Sequence, residues 1–452
     1  MAINSLFDIT AKSLSVYQKS LAVTSNNIAN ANNPNYVRQR VVLGPEKPDY
    51  YSSLTIGKGV KLEYIQRLKN QALDNQIVRY NSLQSQAEKQ STIISQTESL
   101  LSEPSDLGLS NLLTGFLNSF EELSVNATSV PLRTSVIQNA QKLSVKARSV
   151  YEGLETQKLD IGKEAVDTVS NINNYLTQIN TLNKQIYEAS IMGNQANDLL
   201  DNRDKALEEL SKLTDVTVIT DENNVANVSI GGVYAVGRLN KIELQAVQEN
   251  GKLIIKTSDG AATVSVQSGE LAAMQTAYNK NIKSYQSQLD SVLRNIFEQV
   301  NSLHSQGYTT TNPPETGINF FSNYENGYLE INKEILSDVN KIAVSGDGTD
   351  GNNSVAKSIA ALKTKKLSDG LTISDNYSNL VSSIAYEKVL QDQNSESFDL
   401  VVSQLQEQKS NYSGVSLDEE MTDVIKFQRS YEASAKLINI ADEMLQTLLN
   451  MV

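Results

Sequence analysis

The sequence predicts a mainly α-helical protein, with paired terminal helices forming a coiled coil, a long-helix bundle domain and an inserted small β-rich domain. Three observations lead to this fold class. Apolar residues recur at helical spacing near both ends of the chain. Proline, which breaks helix interiors, is absent between Pro131 and Pro313 and after Pro314, which leaves room for long helices. Residues 216–267 instead alternate between polar and apolar side chains, as strands do.

The first predicted element is a helix over residues 3–30. Its heptad-like stripe has two polar interruptions, Gln18 and Ser25, and consists of Phe7, Ala11, Leu14, Gln18, Leu21, Ser25 and Ile28. The helix runs into NNIANANNPNYVRQR, residues 26–40. Asparagine tolerates a left-handed conformation at a helix end, and Pro34 prevents continuation. These residues explain the stop but not the Tyr-Val-Arg-Gln-Arg segment that follows.

The next predicted elements lie between residue 36 and residue 213. Residues 36–65 are rich in Tyr, Val and Gly and predict short strands and turns. The helical patterns that follow cover residues 66–101, 107–125, 131–191 and 196–213. Pro131 suits the first turn of the third of these helices. We expect Gly153 and Gly162 to loosen it, since glycine weakens helix interiors.

A small β unit over 216–267 comes next, with Asn-Asn, Gly-Gly and Asp-Gly turns between its strands. The remaining predictions are a helix over 269–305, turns with a strand or two and a short helix over 306–370, a helix over 376–409, and the last helix over 416–450. Ser413 and Gly414 mark the break before the last helix. Ser416 and Glu419 there have the spacing of a capping box.

The last helix carries two apolar stripes rather than one. The first contains Leu417, Met421, Val424, Gln428, Tyr431, Ala435 and Ile438. The second, shifted by about two residues, contains Leu437, Ala441, Met444, Leu448 and Met451. Such a face is too wide for one partner helix, so we expect contacts with other subunits as well. Two ordinary core helices of one globule remain the alternative.

Three domains follow from this order. A discontinuous terminal domain comprises 1–35 and 412–452. A helical bundle domain comprises 36–215, 269–305 and 371–411. A β-rich inserted domain comprises 216–268 and 306–370.

Composition excludes several function classes. The chain has 452 residues, a net charge of −13, no cysteine and one histidine. Its acidity disfavours nucleic acid and anionic membranes as partners, and the absent thiols exclude disulfides and thiolate metal sites. We expect no membrane insertion, cofactor, metal ion or catalytic residue. The amino-terminal segment lacks a basic start and a continuous apolar run, so we expect no cleaved signal peptide.

The two ends of the sequence resemble the flagellar axial proteins of bacteria. NNIANANNPNYVRQ is similar to their amino-terminal signature, with Asn35 where glycine is usual. SGVSLDEEMTDVIKFQRSYEASAKL is similar to their carboxy-terminal helix. Three interior segments, NDLLDNRDKALEELSKLTDV, SGELAAM and VNSLHSQGYTTTNPPETGINFF, are similar to the hook-associated members at the hook–filament junction. Those members are typically longer, which implies a reduced outer domain here.

This resemblance implies a structural, non-enzymatic protein that forms a ring between hook and filament. Its implied partners are further copies of itself, the hook protein, a second hook–filament junction protein, a cytoplasmic export chaperone and the flagellar type III export apparatus. Its implied location is extracellular, in the flagellum. Two alternatives remain open: another axial protein such as hook or distal rod protein, or an axial scaffold that carries a wall hydrolase.

Two groups of candidate residues follow. The axial motif comprises Asn27, Asn30, Pro34, Tyr36 and Arg38. The assembly residues of the terminal helices are Phe7, Leu14, Leu21, Ile28, Met421, Val424, Tyr431, Ile438, Leu445 and Leu448. For Tyr36, Arg38 and Arg40, two interpretations stay open: an ordinary strand start, or a brace between the end helices and the next domain.

Other chemistry-bearing residues have structural explanations. A lone histidine cannot form a two-histidine metal site, so we expect His304 to have a packing or helix-end role. The loop 345–354 superficially resembles a calcium loop, but its acidic spacing fails. Asp198, Asp201, Arg203 and Asp204 are expected to form intrahelical ion pairs, with an intersubunit contact as the alternative.

Overall fold

The computed structural model confirms the mainly α-helical fold class and describes residues 2–51, 54–103, 105–238, 240–349 and 351–450. The helices are α1 Ala2–Ala29, α2 Gln71–Leu101, α3 Leu109–Val125, α4 Val130–Ile191, α5 Asn197–Leu213, α6 Glu270–Thr276, α7 Ile282–His304, α8 Lys333–Ser337, α9 Ser354–Ala360, α10 Ile373–Ser413 and α11 Leu417–Asn450. The strands are β1 Gln39–Pro45, β2 Asp49–Tyr51, β3 Leu54–Ile56, β4 Val60–Arg67, β5 Val216–Thr220, β6 Ala226–Ile230, β7 Val233–Val236, β8 Leu244–Glu249, β9 Lys252–Thr257, β10 Thr263–Val264, β11 Phe321–Glu325 and β12 Tyr328–Ile331.

The chain divides into two compact units. The first contains residues 1–82, 171–243 and 398–452, and the second contains 83–170 and 244–397. Both units are discontinuous in sequence. The three-domain division given above remains a prediction.

The first unit contains both terminal helices, and α1 packs against α11. The strands β1 and β4 form an antiparallel pair next to α1. Gln39 pairs with Arg67 at the end of this ladder nearest the asparagine-rich segment. A second sheet has the order β5-β6-β7. The β1–β4 pair therefore places the residues that follow α1 beside those that precede α2.

In the second unit, the continuity of α4 corrects one expectation. Gly153 and Gly162 do not break or loosen this helix of 62 residues. A Cβ atom on Gly153 would lie 3.0 Å from the Leu100 side chain, and one on Gly162 would lie 3.1 Å from the Tyr278 ring. Glycine is used at both positions because neighbouring side chains approach the helix backbone closely, and that packing holds the helix intact.

The helix predicted over 269–305 contains a π-helical segment, Ala277–Asn281, between α6 and α7. The wider turn lets the Asn279 amide bind the backbone of β9. It accepts a bond from the Leu253 N–H at 2.8 Å and donates one to the Leu253 carbonyl at 2.9 Å. This irregularity anchors the β8–β9 hairpin, and an apolar periodicity does not reveal it.

The core of the second unit contains a cluster of aromatic rings. Phe320 and Phe321, from the Gly-Ile-Asn-Phe-Phe segment, are completely buried. Phe320 makes edge contacts with Phe120 and Phe116 lies beside both, with ring centroids 5.4–5.6 Å apart. The segment is therefore a packing element. Among the residues described, no helix has the length and apolarity to span a membrane.

Candidate functional site at the base of the terminal helices

Asn27, in the last turn of α1, joins the two ends of the chain. Its side chain is 1% exposed. The amide nitrogen donates to the Gln39 carbonyl at 2.8 Å and to Glu420 Oε2, on α11, at 2.9 Å. The amide oxygen accepts from the Gln39 N–H at 3.0 Å and from the Tyr36 hydroxyl at 2.8 Å. One asparagine thus connects α1, the segment after it and α11.

Tyr36 lies in the turn between α1 and β1 and is buried. Its hydroxyl donates to Asn27 and accepts a bond from the Asn26 amide at 3.2 Å. Burial, with further contributions from Asp201, Asp198 and Glu420, raises the pKa of Tyr36 to about 12. The phenol therefore stays protonated and keeps donating far above neutral pH.

Arg38 connects the same segment to the start of α11. Its Nε donates to Glu420 at 2.6 Å, its Nη1 pairs with Glu419, and its backbone N–H donates to the Ser413 carbonyl at 2.9 Å. The predicted capping box assigns the Glu419 carboxylate to the backbone N–H of Ser416. In the structure this carboxylate pairs with Arg38. Arg40 does not join this contact, since it lies exposed on β1 and donates to Gln66 at 3.2 Å.

We call Asn27, Tyr36, Arg38 and Glu420 the terminal node. Two interpretations were left open for Tyr36, Arg38 and Arg40. Tyr36 and Arg38 act as a brace, whereas Arg40 occupies an ordinary strand position. The polar groups of the node bond to one another, to adjacent backbone and to the side chains of Asn26 and Glu419. This arrangement holds two helix ends in a fixed geometry, in which the Glu420 carboxylate bonds to both Asn27 and Arg38.

A cluster of charges on α5 lies next to the node. Asp201 pairs with Arg67, at the end of β4, and accepts a bond from the Val37 N–H at 3.4 Å. Asp204 lies 3.0 Å from Arg67 and 2.6 Å from Lys69. Arg203 and Asp204 form an expected pair within α5 at 3.4 Å, whereas the closer partners of Asp201 and Asp204 lie on β4 and in the segment after it.

Asp201 and Asp204 have pKa values that are shifted in opposite directions. Burial raises the pKa of Asp201, and Arg67 opposes that effect without cancelling it. Burial would also raise the pKa of Asp204, but Lys69, Arg203 and Arg67 outweigh it and lower this pKa to about 2. Asp204 therefore stays ionised near neutral pH and attracts Lys69, Arg203 and Arg67.

The buried positions of the terminal helices differ from the predicted stripe on α1. Besides Val16, Asn27 and Glu420, these positions carry small or hydroxyl-bearing side chains: Thr10, Ser20, Thr24, Ser434 and Ala441. All four hydroxyls donate to carbonyl oxygens one turn earlier, such as Ser20 to Val16 at 2.9 Å. Small side chains allow close approach of two helices, and the local hydrogen bonds satisfy the buried hydroxyls.

The predicted assembly residues lie at the margins of this pair. The half-buried ones are Phe7, Leu14, Leu21, Ile28, Val424, Ile438 and Leu445. Met421 and Tyr431 are exposed, and the side chain of Leu448 lies outside the described residues. Further large apolar side chains of α11 are 45–53% exposed: Leu417, Ile425, Leu437, Ile440 and Met444. We call these five together with Met421 the outer face of α11.

Comparison with known families identifies the family to which this chain belongs. The model of the flagellar hook-associated protein FlgK helical domain matches residues 94–321, half of the chain. The chain belongs to the FlgK family of flagellar hook-associated proteins. A second model, the C-terminal region of the flagellar basal body rod FlgEFG proteins, matches residues 406–451. The resemblance seen in the sequence is therefore confirmed, and the FlgK-family chain is a structural flagellar protein that associates with other axial components.

Relatives of this FlgK-family chain match almost all of its length. Flagellar hook-associated protein 1 of Bacillus subtilis (strain 168) is 27% identical over 97% of this chain and 96% of its own. Flagellar hook-associated protein 1 of Salmonella typhimurium is 23% identical over 99% of this chain and 100% of its own. The solved flagellar hook junction protein FlgK from Burkholderia pseudomallei aligns with 54% of this chain and 46% of its own, at 24% identity and a TM-score of 0.49.

The remaining motif residues of the FlgK-family chain have local roles. Asn30 donates to the Asn26 carbonyl at 3.0 Å and to the Asn26 side chain at 3.1 Å. Pro34 is exposed in the turn before Tyr36. Both residues shape the end of α1, whereas Asn27, Tyr36 and Arg38 make the long-range contacts.

His304 has the structural role that the sequence predicts. It is the last residue of α7 and is completely buried. Its Nδ1 donates to the Ile318 carbonyl at 2.7 Å, and its Nε2 accepts from the Ala343 N–H at 2.9 Å. Burial lowers the pKa of His304 to about 4, so the ring is neutral at physiological pH. A protonated ring would lose the bond from Ala343.

This pKa predicts a pH dependence of stability. The folded pKa lies below the ordinary value of 6.5, so the unfolded chain binds the proton more readily. The contribution of His304 is complete above pH 6.5 and is lost as the pH falls towards 4. Between pH 7 and pH 5 we expect a loss of about 2 kcal/mol from this residue. Urea titrations followed by circular dichroism measure it, with His304→Gln as the comparison.

The difference in free energy of unfolding between wild type and His304→Gln should therefore shrink as the pH falls from 7 to 5. Parallel curves for the two proteins over that interval would show that His304 is not held neutral by the fold.

The loop 345–354 uses its described carboxylate internally. Asp347 Oδ1 accepts bonds from the Thr349 N–H at 3.0 Å and from the Ser345 hydroxyl at 3.1 Å. In the part of the chain that the structure describes, no group of three or more acidic or histidine side chains is arranged to hold a metal ion.

Proposed function

We propose that this protein is a non-enzymatic subunit of the ring that joins the flagellar hook to the filament. The observation that supports this most is the outer face of α11, whose apolar side chains are about half exposed in a single copy. A large exposed apolar surface in an otherwise polar protein marks an interaction site. Because the chain belongs to a flagellar family, we expect neighbouring subunits in the flagellum to cover this surface.

In this proposal the terminal segments, 1–35 and 412–452, form the assembly domain. The terminal node fixes the end of α1 against the start of α11, so the pair presents one defined surface. Neighbouring copies then cover the predicted assembly residues and the outer face. Different surfaces meet at such a head-to-tail contact, and a ring closes when the rotation between copies is right. Hook protein lies on one side of the ring and a second junction protein on the other.

We further propose that the protein reaches this extracellular site through the flagellar type III export apparatus. The exposed apolar outer face of α11 promotes self-association of free copies. A cytoplasmic chaperone that covers α11 before export would prevent this association. The acidic chain, with a net charge of −13, adds repulsion between free copies and keeps them apart before assembly.

Immunogold electron microscopy of purified flagella tests this function. Antibody against the protein should label one narrow band between hook and filament. The match of residues 406–451 to a rod-protein model keeps another axial protein as the second candidate. Labelling along the whole hook or on the rod would favour that candidate and contradict the junction assignment. Release of peptidoglycan fragments by the purified protein would contradict the non-enzymatic part.

A further inference from the structure

Two exposed apolar surfaces lie on helices of the second unit, away from the terminal helices in sequence. The first, the α4 stripe, consists of Val145, Leu159 and Val166, which are 46–65% exposed. Their separations are multiples of seven residues, so they share one face of α4. The second, the α10 patch, consists of Tyr386, Val389 and Leu390, at spacings of three and four residues and 40–71% exposed.

The helix α2 contacts both α4 and α10. On one side the Gln157 amide of α4 donates to the Ile93 carbonyl of α2 at 2.8 Å. On the other side the Gln90 amide of α2 donates to Glu387 of α10 at 3.3 Å. α2 therefore lies between the two helices that carry the apolar surfaces.

The helix α7 makes the same two connections. Its Gln286 amide donates to Glu155 of α4 at 2.9 Å, and its Tyr285 hydroxyl donates to Glu387 of α10 at 2.6 Å. α2 and α7 are thus each bonded to both α4 and α10 and lie between them. The exposed faces of α4 and α10 therefore lie on different sides of this group of helices.

Charge does not prevent these two surfaces from meeting. On α4, Arg148 pairs with Glu152 at 2.7 Å, and Lys163 pairs with Asp160 at 3.0 Å. On α10, Lys388 pairs with Asp392 at 2.7 Å. Each surface thus lies beside at least one ion pair. In a chain with a net charge of −13, faces on which charges are paired in this way allow two copies to approach with less repulsion.

We propose that the α10 patch of one copy docks on the α4 stripe of the next copy. This lateral contact joins two surfaces on different sides of one bundle, which is the geometry that a closed head-to-tail ring needs. It rests on the proposed ring function and adds a second interface to that of the terminal helices. Its partner is a second copy of this chain and not another flagellar protein.

Cysteine cross-linking tests the contact cleanly because the natural sequence has no cysteine. Leu390→Cys is combined in turn with Val145→Cys, Leu159→Cys or Val166→Cys, which samples the length of the α4 stripe. Flagella carrying each double variant are treated with a short bismaleimide and analysed on denaturing gels. At least one double variant should give a ladder of multimers of this chain, and each single variant should remain monomeric.

The control pairs Leu390→Cys with Val125→Cys, because Val125 is 87% exposed and lies on neither surface. Circular dichroism verifies that every variant folds. Monomers only, an equal ladder from the control, dimers from single variants, or an adduct with another flagellar protein would each overturn the proposed contact. Absence of the wild-type protein from flagella would instead overturn the ring function on which the contact rests.

Discussion

Asn27→Ala should lower the free energy of unfolding of the first unit by about 3–5 kcal/mol. The substitution removes an amide that is 1% exposed and makes four hydrogen bonds. The N–H and carbonyl of Gln39, the Tyr36 hydroxyl and one Glu420 oxygen lose this partner. Each buried polar group left unpaired costs about 1–3 kcal/mol, and partial rearrangement reduces the sum. Urea denaturation followed by circular dichroism gives the value.

Asn30→Ala is the matched control for Asn27→Ala. It removes the same side chain one turn further along the chain, but among the described residues the Asn30 side chain donates to Asn26 alone and makes no long-range contact. We expect its effect to stay within about 0.5–1 kcal/mol. Equal losses for the two variants would mean that the terminal node contributes no more than an ordinary helix end.

The double variant Met421→Glu/Ile440→Glu should abolish incorporation into flagella while leaving the free protein folded. Met421 and Ile440 are 52% and 45% exposed, so the carboxylates remain hydrated in a single copy. We expect a change of less than about 1 kcal/mol in the free energy of unfolding. Covering them with a neighbouring copy would bury two unpaired charges at several kcal/mol each. Quantitative blots of purified flagella should show a drop of at least about 100-fold.

Asn439→Glu/Gln446→Glu controls for the added charge, since both positions are exposed, polar and outside the two predicted apolar stripes of the same helix. This control should be incorporated far better than the double variant at Met421 and Ile440. Normal incorporation of the latter, together with unchanged stability, would show that the outer face of α11 is not covered in the flagellum.

Local patterns were sufficient for the helices and strands but not for the terminal node. The periodicity of residues 3–30 and 416–450 predicts α1 and α11 because each helix is encoded by its own spacing. The bond between Asn27 and Glu420 joins positions 393 residues apart, and no local rule relates them. Only the resemblance to axial proteins pointed to Asn27, Tyr36 and Arg38, and it gave no partners for them.

Two further differences have physical causes. Local reasoning paired the acidic residues of α5 with charges on the same helix, but β4 ends beside α5 and supplies Arg67. On α1, the largest apolar side chains mark the predicted stripe, whereas close helix packing selects small ones such as Ser20 and Thr24. A search for small and hydroxyl side chains at helical spacing could have found that second face.

Hydrogen–deuterium exchange of the free protein and of intact flagella tests the central idea most directly. The terminal helices of one copy leave much apolar surface in water, and in the proposed ring neighbouring copies cover it. Amides of α1 and α11 should therefore exchange faster than those of α4 in the free protein, and should slow by about 100-fold or more in flagella. Terminal helices already as protected as α4 in a dilute single copy, with no further slowing on assembly, would contradict the account.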